Sequence, residues 1–274
     1  MGKDKKTVIF SLLALAAAGV IIWLLARNLT RPEEPLPTET QATLPAPPDN
    51  PYEASDFYEE NGFIRCSAVD GRIGVDVSAH QGEIDWQAVR QAGVEFAMIR
   101  VGYRGYDQGG TYVDEYFEAN ITGALEAGLE VGVYFYSQAI SVEEALEEAE
   151  LVLGEIQDYP LTYPVVFDWE CIGEAARTWD VDSRTVTDCT MAFCDAVEQA
   201  GYIPGFYFNQ SMSHTTFRLR ELQDYDFWLA QYNDAMTFRY DVALWQYTNE
   251  GTVPGITGSV DLNLSFRDYG AEPK

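Results

Sequence analysis

A chain of 274 residues, 47% of them hydrophobic, is long enough to bury one core of about 200 residues with appendages. Its formal charge of −27 is unevenly placed, with 12 basic against 43 acidic side chains beyond residue 32. That balance excludes a nucleic-acid partner, whose phosphates demand a basic surface, and predicts a well solvated exterior that approaches an anionic polymer slowly.

In chain order, Lys3, Lys5 and Lys6 precede Thr7–Ala26, a run of 20 residues without a charge. Such a run can cross a hydrocarbon core of about 30 Å, and the basic residues on its short side keep that side cytoplasmic. A cleaved signal peptide competes, with small residues at Ala14–Ala18. The apolar run nevertheless continues through Ile21–Leu25, past the roughly 7–15 residues of a signal core. A retained anchor over residues 1–27 is therefore expected. It would make a single-pass protein of the cell membrane with its main domain on the extracytoplasmic side, or a secreted one if the segment is cut.

Residues 28–65 are expected to form a linker. Pro32, Pro35, Pro37, Pro45, Pro47, Pro48 and Pro51 stand among threonines and glutamates, a composition that predicts an extended spacer.

The main domain is expected over residues 66–270, where strand-like and helix-like runs alternate. Eight runs read as strands: Ile73–Ser78, Phe96–Gly102, Leu129–Ser137, Pro164–Glu170, Ile203–Asn209, Phe227–Tyr232, Val242–Thr248 and Ser259–Ser265. Helical patterns fall at Asp85–Ala92, Tyr112–Ala127, Val142–Ile156 and Ser183–Ala200. Ser141 with Glu144 reads as a capping box, and Gly128 and Gly201 as helix stops. The last three strands are joined by connections too short for crossover helices. The fold class predicted is α/β, a modified TIM-like (β/α) barrel with a helix-poor closing third, plus the N-terminal transmembrane helix.

Chemistry in such a barrel sits at the C-terminal ends of the strands. Those ends deliver Asp76 from the first strand, Asp168 and Glu170 from the fourth, and Asp261 from the eighth. Asp168 and Glu170, two apart on one strand, should share a face about 6.5–7 Å apart. Tyr103, Tyr134, Tyr136, Tyr207 and Trp245 are the candidate substrate-binding aromatics. Four acids beside flat rings suit a carbohydrate: carboxylates for the glycosidic bond, aromatic faces for the sugar. The two histidines, His80 and His214, have no metal-ligand spacing, and neither a metal nor a cofactor is expected. Cys66, Cys171, Cys189 and Cys194 leave one or two disulfides open against free buried thiols.

Gly74-Val75-Asp76-Val77-Ser78, with Gln81-Gly82-Glu83-Ile84-Asp85-Trp86, resembles the opening of the family 25 glycoside hydrolases, the Chalaropsis-type lysozymes. Phe167-Asp168-Trp169-Glu170 is similar to the family's central Asp-x-Glu motif. Trp245-Gln246-Tyr247-Thr248 and Gly258-Ser259-Val260-Asp261-Leu262-Asn263 resemble its closing segment, so the likeness covers residues 72–267 in order. The resemblance implies a lysozyme (N-acetylmuramidase) that cleaves the β-1,4 bond between N-acetylmuramic acid and N-acetylglucosamine in peptidoglycan. It implies Glu170 as general acid and Asp168 as an ionised carboxylate that stabilises positive charge. Asp76 and Asp261 would position substrate and tune the pair, with retention or inversion left open. The expected partners are peptidoglycan strands and, through the N-terminal helix, the membrane, with the protein itself monomeric. Two alternatives remain: a tethered glycan-binding module without turnover, and a glycosidase for another N-acetylated glycan.

Overall fold

The computed structural model describes residues 44–270. The expected anchor and residues 28–43 of the expected linker lie outside the described residues. Among the described residues no helix is long and apolar enough to cross a membrane. The strands are β1 (Phe57–Glu60), β2 (Phe63–Cys66), β3 (Arg72–Val77), β4 (Phe96–Arg104), β5 (Thr111–Val113), β6 (Glu130–Ser137), β7 (Val165–Trp169), β8 (Pro204–Asn209), β9 (Asp226–Ala230), β10 (Leu244–Gly251) and β11 (Val260–Ser265). The helices are α1 (Trp86–Gln91), α2 (Phe117–Glu126), α3 (Val142–Ile156), α4 (Ser183–Gln199) and α5 (Met212–Thr215).

Eight strands close into a barrel in the order β3-β4-β6-β7-β8-β9-β10-β11, with β11 returning to β3. Neighbours from β3 round to β10 run parallel. β11 is antiparallel to both β10 and β3. Parallel strands covered by helices are buried on both faces, and they therefore read as unbroken apolar runs. β7 is the clearest case, with all five residues buried. Inside the barrel Phe96, Met98, Tyr134, Val166, Trp228 and Leu244 pack into one cluster that floors the mouth.

Helices α2, α3 and α4 pack on β4 to β8, and none packs on β10 or β11 to the same extent. α3 and α4 pack on each other outside β6 and β7. Ser141 caps α3 by accepting from the Glu144 N–H, while the Glu144 carboxylate takes the N–H of Ile140, one residue before the cap, and Arg177. The helix expected to begin at Tyr112 begins instead at Phe117. Thr111, Tyr112 and Val113 form β5, an antiparallel flap on Gly102–Arg104.

The expected linker is corrected from Leu44 onward. Residues 44–66 are a strap packed on the barrel where helices are missing. Asp241 N donates to Pro48 O at 2.9 Å and Asn50 N to Arg239 O at 2.8 Å. The Tyr52 ring stacks on Phe266 at 4.7 Å, and Phe57 meets Trp245 edge-on at 5.2 Å. β1 and β2 form a hairpin turned at Asn61-Gly62, both with positive φ (55° and 84°), the geometry that an Asn-Gly pair favours.

Candidate active site

Asp76 is the fifth residue of β3 and only 5% exposed. Its Oδ2 accepts from Asn263 Nδ2 at 2.7 Å and from Gln246 Nε2 at 2.9 Å. Asp261 lies directly across the ladder from it. The sequence reading put Asp261 at the end of a strand, but it is the second residue of β11. It reaches the mouth because β11 runs backwards and brings its start to the rim where parallel strands bring their ends.

Asp168, fourth in β7, is 6% exposed and flanked in register by Tyr136 and Tyr207. Among the described residues its Oδ1 has no hydrogen-bond partner. Glu170 follows one residue past β7, and both acids line one cleft of about 500 Å³ with Asp76 and Asp261. The main chain at Glu170 is pinned from behind. The fully buried Gln138 donates to the Glu170 carbonyl and accepts from Thr178 Oγ1, while the Trp169 indole donates to Ala139 O. Four of the five expected aromatics thus divide from one. Tyr134, Tyr136 and Tyr207 line the cleft, Tyr103 lines a cavity beside it, and Trp245 lines neither.

Trp245 is a correction. It is fully buried beneath Phe57, its indole donating to Gln231 O at 2.8 Å. Its neighbour Gln246 points into the mouth instead, because successive residues of a strand face opposite sides. Gln246 Oε1 accepts from Tyr207 OH at 3.3 Å and Tyr232 OH at 3.0 Å, so its Nε2 is turned toward Asp76. Asn263 is turned likewise, its Oδ1 taking the Trp228 indole at 2.8 Å. Gln246, Asn263, Trp228, Tyr232 and Arg100 all escaped the sequence reading as site residues. Alternation along β10 and β11 was the signal for the first two. His80 borders the cleft, whereas His214 sits on α5 away from it. The four cysteines are free thiols, with Cys171 exposed beside Glu170 and the others buried.

Burial raises all four site carboxyls. Asp76 and Asp168 are held well above the ordinary carboxylate range, first by burial, then by the charge of Asp261 on Asp76 and of Glu170 on Asp168. Glu170 is raised by burial and by Asp261. Asp261 is raised by burial against an opposing hydrogen bond with Asp76. The reading of Asp168 as simply ionised is thereby refined: without a cation beside it, its charge is disfavoured, and Arg100 offsets this only in part. A carboxyl whose value is raised by folding stabilises the fold below its unfolded value of about 3.9, and that contribution is lost as pH climbs toward the folded value. Asp168→Asn, uncharged throughout, is therefore expected to melt higher than wild type at pH 7 and to lose this advantage below about pH 4. Each kcal/mol relieved is worth about 2–4 °C in a domain of this size, so thermal melts at the two pH values decide it. An unchanged or lower Tm at pH 7 would refute the account of a costly buried charge.

The family model for glycosyl hydrolases family 25 matches residues 75–256. Uncharacterized protein YegX of Escherichia coli K12 is 31% identical over 214 residues, covering 73% of this chain and 72% of that protein. The autolytic lysozyme of Clostridium acetobutylicum is 26% identical over 197 residues, covering 69% of this chain and 54% of that one. Among solved structures, the modular autolysin LytC of Streptococcus pneumoniae, in complex with a synthetic peptidoglycan ligand, superposes with a TM-score of 0.62 at 28% identity. That match covers 71% of this chain but 46% of LytC, so the chain spans about half the length of that relative. With the acids of β3, β7 and β11 gathered at the mouth of such a barrel, the chain belongs to the glycosyl hydrolases of family 25.

Proposed function

We propose that the protein is a peptidoglycan hydrolase, an N-acetylmuramidase cleaving the β-1,4 bond between N-acetylmuramic acid and N-acetylglucosamine. The observation that carries this reading is the placement of Asp168 and Glu170 in one cleft, facing Asp76 and Asp261, above an aromatic floor. Glu170, whose proton is held more tightly because of its burial and the charge of Asp261, gives that proton to the glycosidic oxygen as the C1–O bond breaks. Positive charge then develops on the sugar. Asp168, whose charge is costly when nothing positive lies beside it, interacts most favourably at that moment, either with the sugar or with an intermediate formed by the substrate's acetamido group. An interaction stronger in the transition state than in the ground state is what accelerates the step. Water adds at C1, and its proton returns to Glu170. Asp76, fixed by Asn263 and Gln246, and its partner Asp261 orient the substrate.

The N-terminal segment is the proposed membrane anchor, holding the domain on the extracytoplasmic side. Supporting a tether on that side of the domain, Pro47 and Pro48 pack by Asp226 and Ala243, at the starts of β9 and β10. The described chain thus enters the barrel at the end opposite the carboxylates. The test is product analysis after incubating the full chain with purified peptidoglycan. New reducing ends on N-acetylmuramic acid are expected. Reducing ends on N-acetylglucosamine would move the cleaved bond, and binding without products would make the protein a tethered glycan-binding module.

A further inference from the structure

Among the described residues that line the carboxylate cleft, Arg100 is the one lysine or arginine, set against Asp76, Asp168, Glu170 and Asp261. A guanidinium among four carboxyls is expected to pair with one of them. Arg100 instead donates Nε and Nη2 to Oδ2 of Asp114, each at 2.7 Å, and Asp114 lies outside the lining of that cleft. Asp168 meanwhile keeps an oxygen without a partner.

Asp114 is built as an anchor. It follows β5 directly and is only 4% exposed. Its N–H donates to Val101 O at 2.9 Å, and its carbonyl accepts from the Phe117 N–H at 3.0 Å. In the side chain, Oδ2 also accepts from the Ala79 N–H at 3.0 Å, and Oδ1 from the Tyr116 N–H at 2.9 Å. The carboxylate is thus fixed by the turn after β3 and by the entry to α2. Arg100 is steadied in turn by Tyr103, whose ring centre lies 5.3 Å from the guanidinium carbon. A register shift against β6 between Arg100 and Gly102 turns the two side chains toward one side. Glu115 also borders the adjoining cavity, but the ion pair of Arg100 is with Asp114.

Two simpler arrangements would each harm Asp168. A cation seated on it would satisfy the carboxylate before any sugar is bound, and an interaction complete in the ground state does not accelerate the step. With no cation at all, Asp168 would face the charges of Glu170, Asp76 and Asp261 alone. The phenols of Tyr134, Tyr136 and Tyr207 and the His80 imidazole complete its surroundings in the cleft. Its carboxyl would then stay protonated further up the pH scale. A guanidinium in the cleft, tied to a carboxylate outside it, avoids both.

We propose that Asp114 is a positioning residue for the cleavage step: it holds Arg100 near Asp168 yet keeps the two from pairing, so that Asp168 stays open to the positive charge that develops on the sugar. The proposal rests on reading the carboxylate cleft as a glycan-cleaving site.

The test follows the acid limb of kcat/KM on purified peptidoglycan, where Asp168 takes up its proton, in variants of the full chain. Arg100→Gln removes the cation, and the limb should move up by about one pH unit. Asp114→Asn frees the cation to pair with Asp168, and the limb should move down by about one unit. That new pair must break before Asp168 serves the sugar, so kcat should also fall about tenfold, the equivalent of one unit. The double variant Asp114→Asn/Arg100→Gln should recover most of this loss, because the stray cation is gone. Arg100→Lys keeps the charge but loses the two-donor grip on Asp114. It should move the limb down as well, and it stands in for Asp114→Asn where that variant does not fold. Limbs that move the same way in Arg100→Gln and Asp114→Asn, or a double variant no better than Asp114→Asn, would overturn the proposal and leave Asp114 a purely structural role. Carbon-13 NMR titration of the Asp168 carboxyl, assigned by its absence from Asp168→Asn, should show the same opposite shifts without substrate. If wild type releases no reducing ends but these shifts are found, the tethered arginine stands and the hydrolase reading falls. If wild type cleaves and Asp168 titrates alike in every variant, the tether falls and the hydrolase reading stands.

Discussion

Glu170→Gln is expected to lower kcat on purified peptidoglycan by about 10²–10⁴-fold while leaving strand binding close to wild type and Tm no lower than wild type. Glutamine keeps the shape of the side chain and removes the transferable proton. The loss should therefore fall on kcat and kcat/KM together, as when an interaction made only in the transition state is deleted. Wild-type activity should itself decline as pH rises through the raised value of Glu170, because the acid then arrives deprotonated. The glutamine variant has no such group, so that alkaline limb should vanish from whatever residual rate remains. Release of reducing ends across a pH series measures both effects. A variant within a few-fold of wild type, or one that keeps the same alkaline limb, would remove Glu170 from the role of acid. Asp168 would then be the group to test, being more deeply buried and more strongly pushed toward its protonated form.

The barrel was legible because its parallel strands lie under helices. Burial on both faces writes unbroken apolar runs such as Val165–Phe167, and the acids at the end of that run had no hydrophobic excuse to be there. What was lost is mostly direction and parity. Asp261 was rightly named, but nothing in a strand's composition says which way it runs, and β11 runs against its neighbours. On β10 the larger ring, Trp245, drew attention, while alternation places Gln246 in the mouth and Trp245 under the strap. A polar residue between two aromatics on a buried strand was the readable sign. The prolines of residues 45–51 suggest a spacer and conceal the strap, although Asn61-Gly62, flanked by Phe57 and Phe63, is a hairpin signal. Tyr103 is named by its place at the end of a strand, but the side it faces depends on a one-residue shift in β4 that composition does not show.

Phe57→Ala should destabilise the domain by about 3–5 kcal/mol, the usual cost of emptying a buried phenylalanine site. For a domain of this size that is a fall in Tm of roughly 6–20 °C. Tyr58→Ala, one residue along and 46% exposed, should stay within about 0.5 kcal/mol. The contrast follows from the missing helices. On β4 to β8 the barrel wall is covered by α2 to α4, but β10 and β11 have no crossover helix, and Phe57, Tyr52 and Phe266 make the cover there. Phe57 stands edge-on to Trp245, whose next residue on the strand is the Gln246 that holds Asp76. Loosening the strap therefore loosens a strand of the active site. In Phe57→Ala, kcat should fall at temperatures well below the melt, with KM less affected. Equal and small effects from both variants would mean that the strap merely rests on the barrel. A large loss of stability with kcat intact up to the melt would mean that it seals β10 without steadying Gln246.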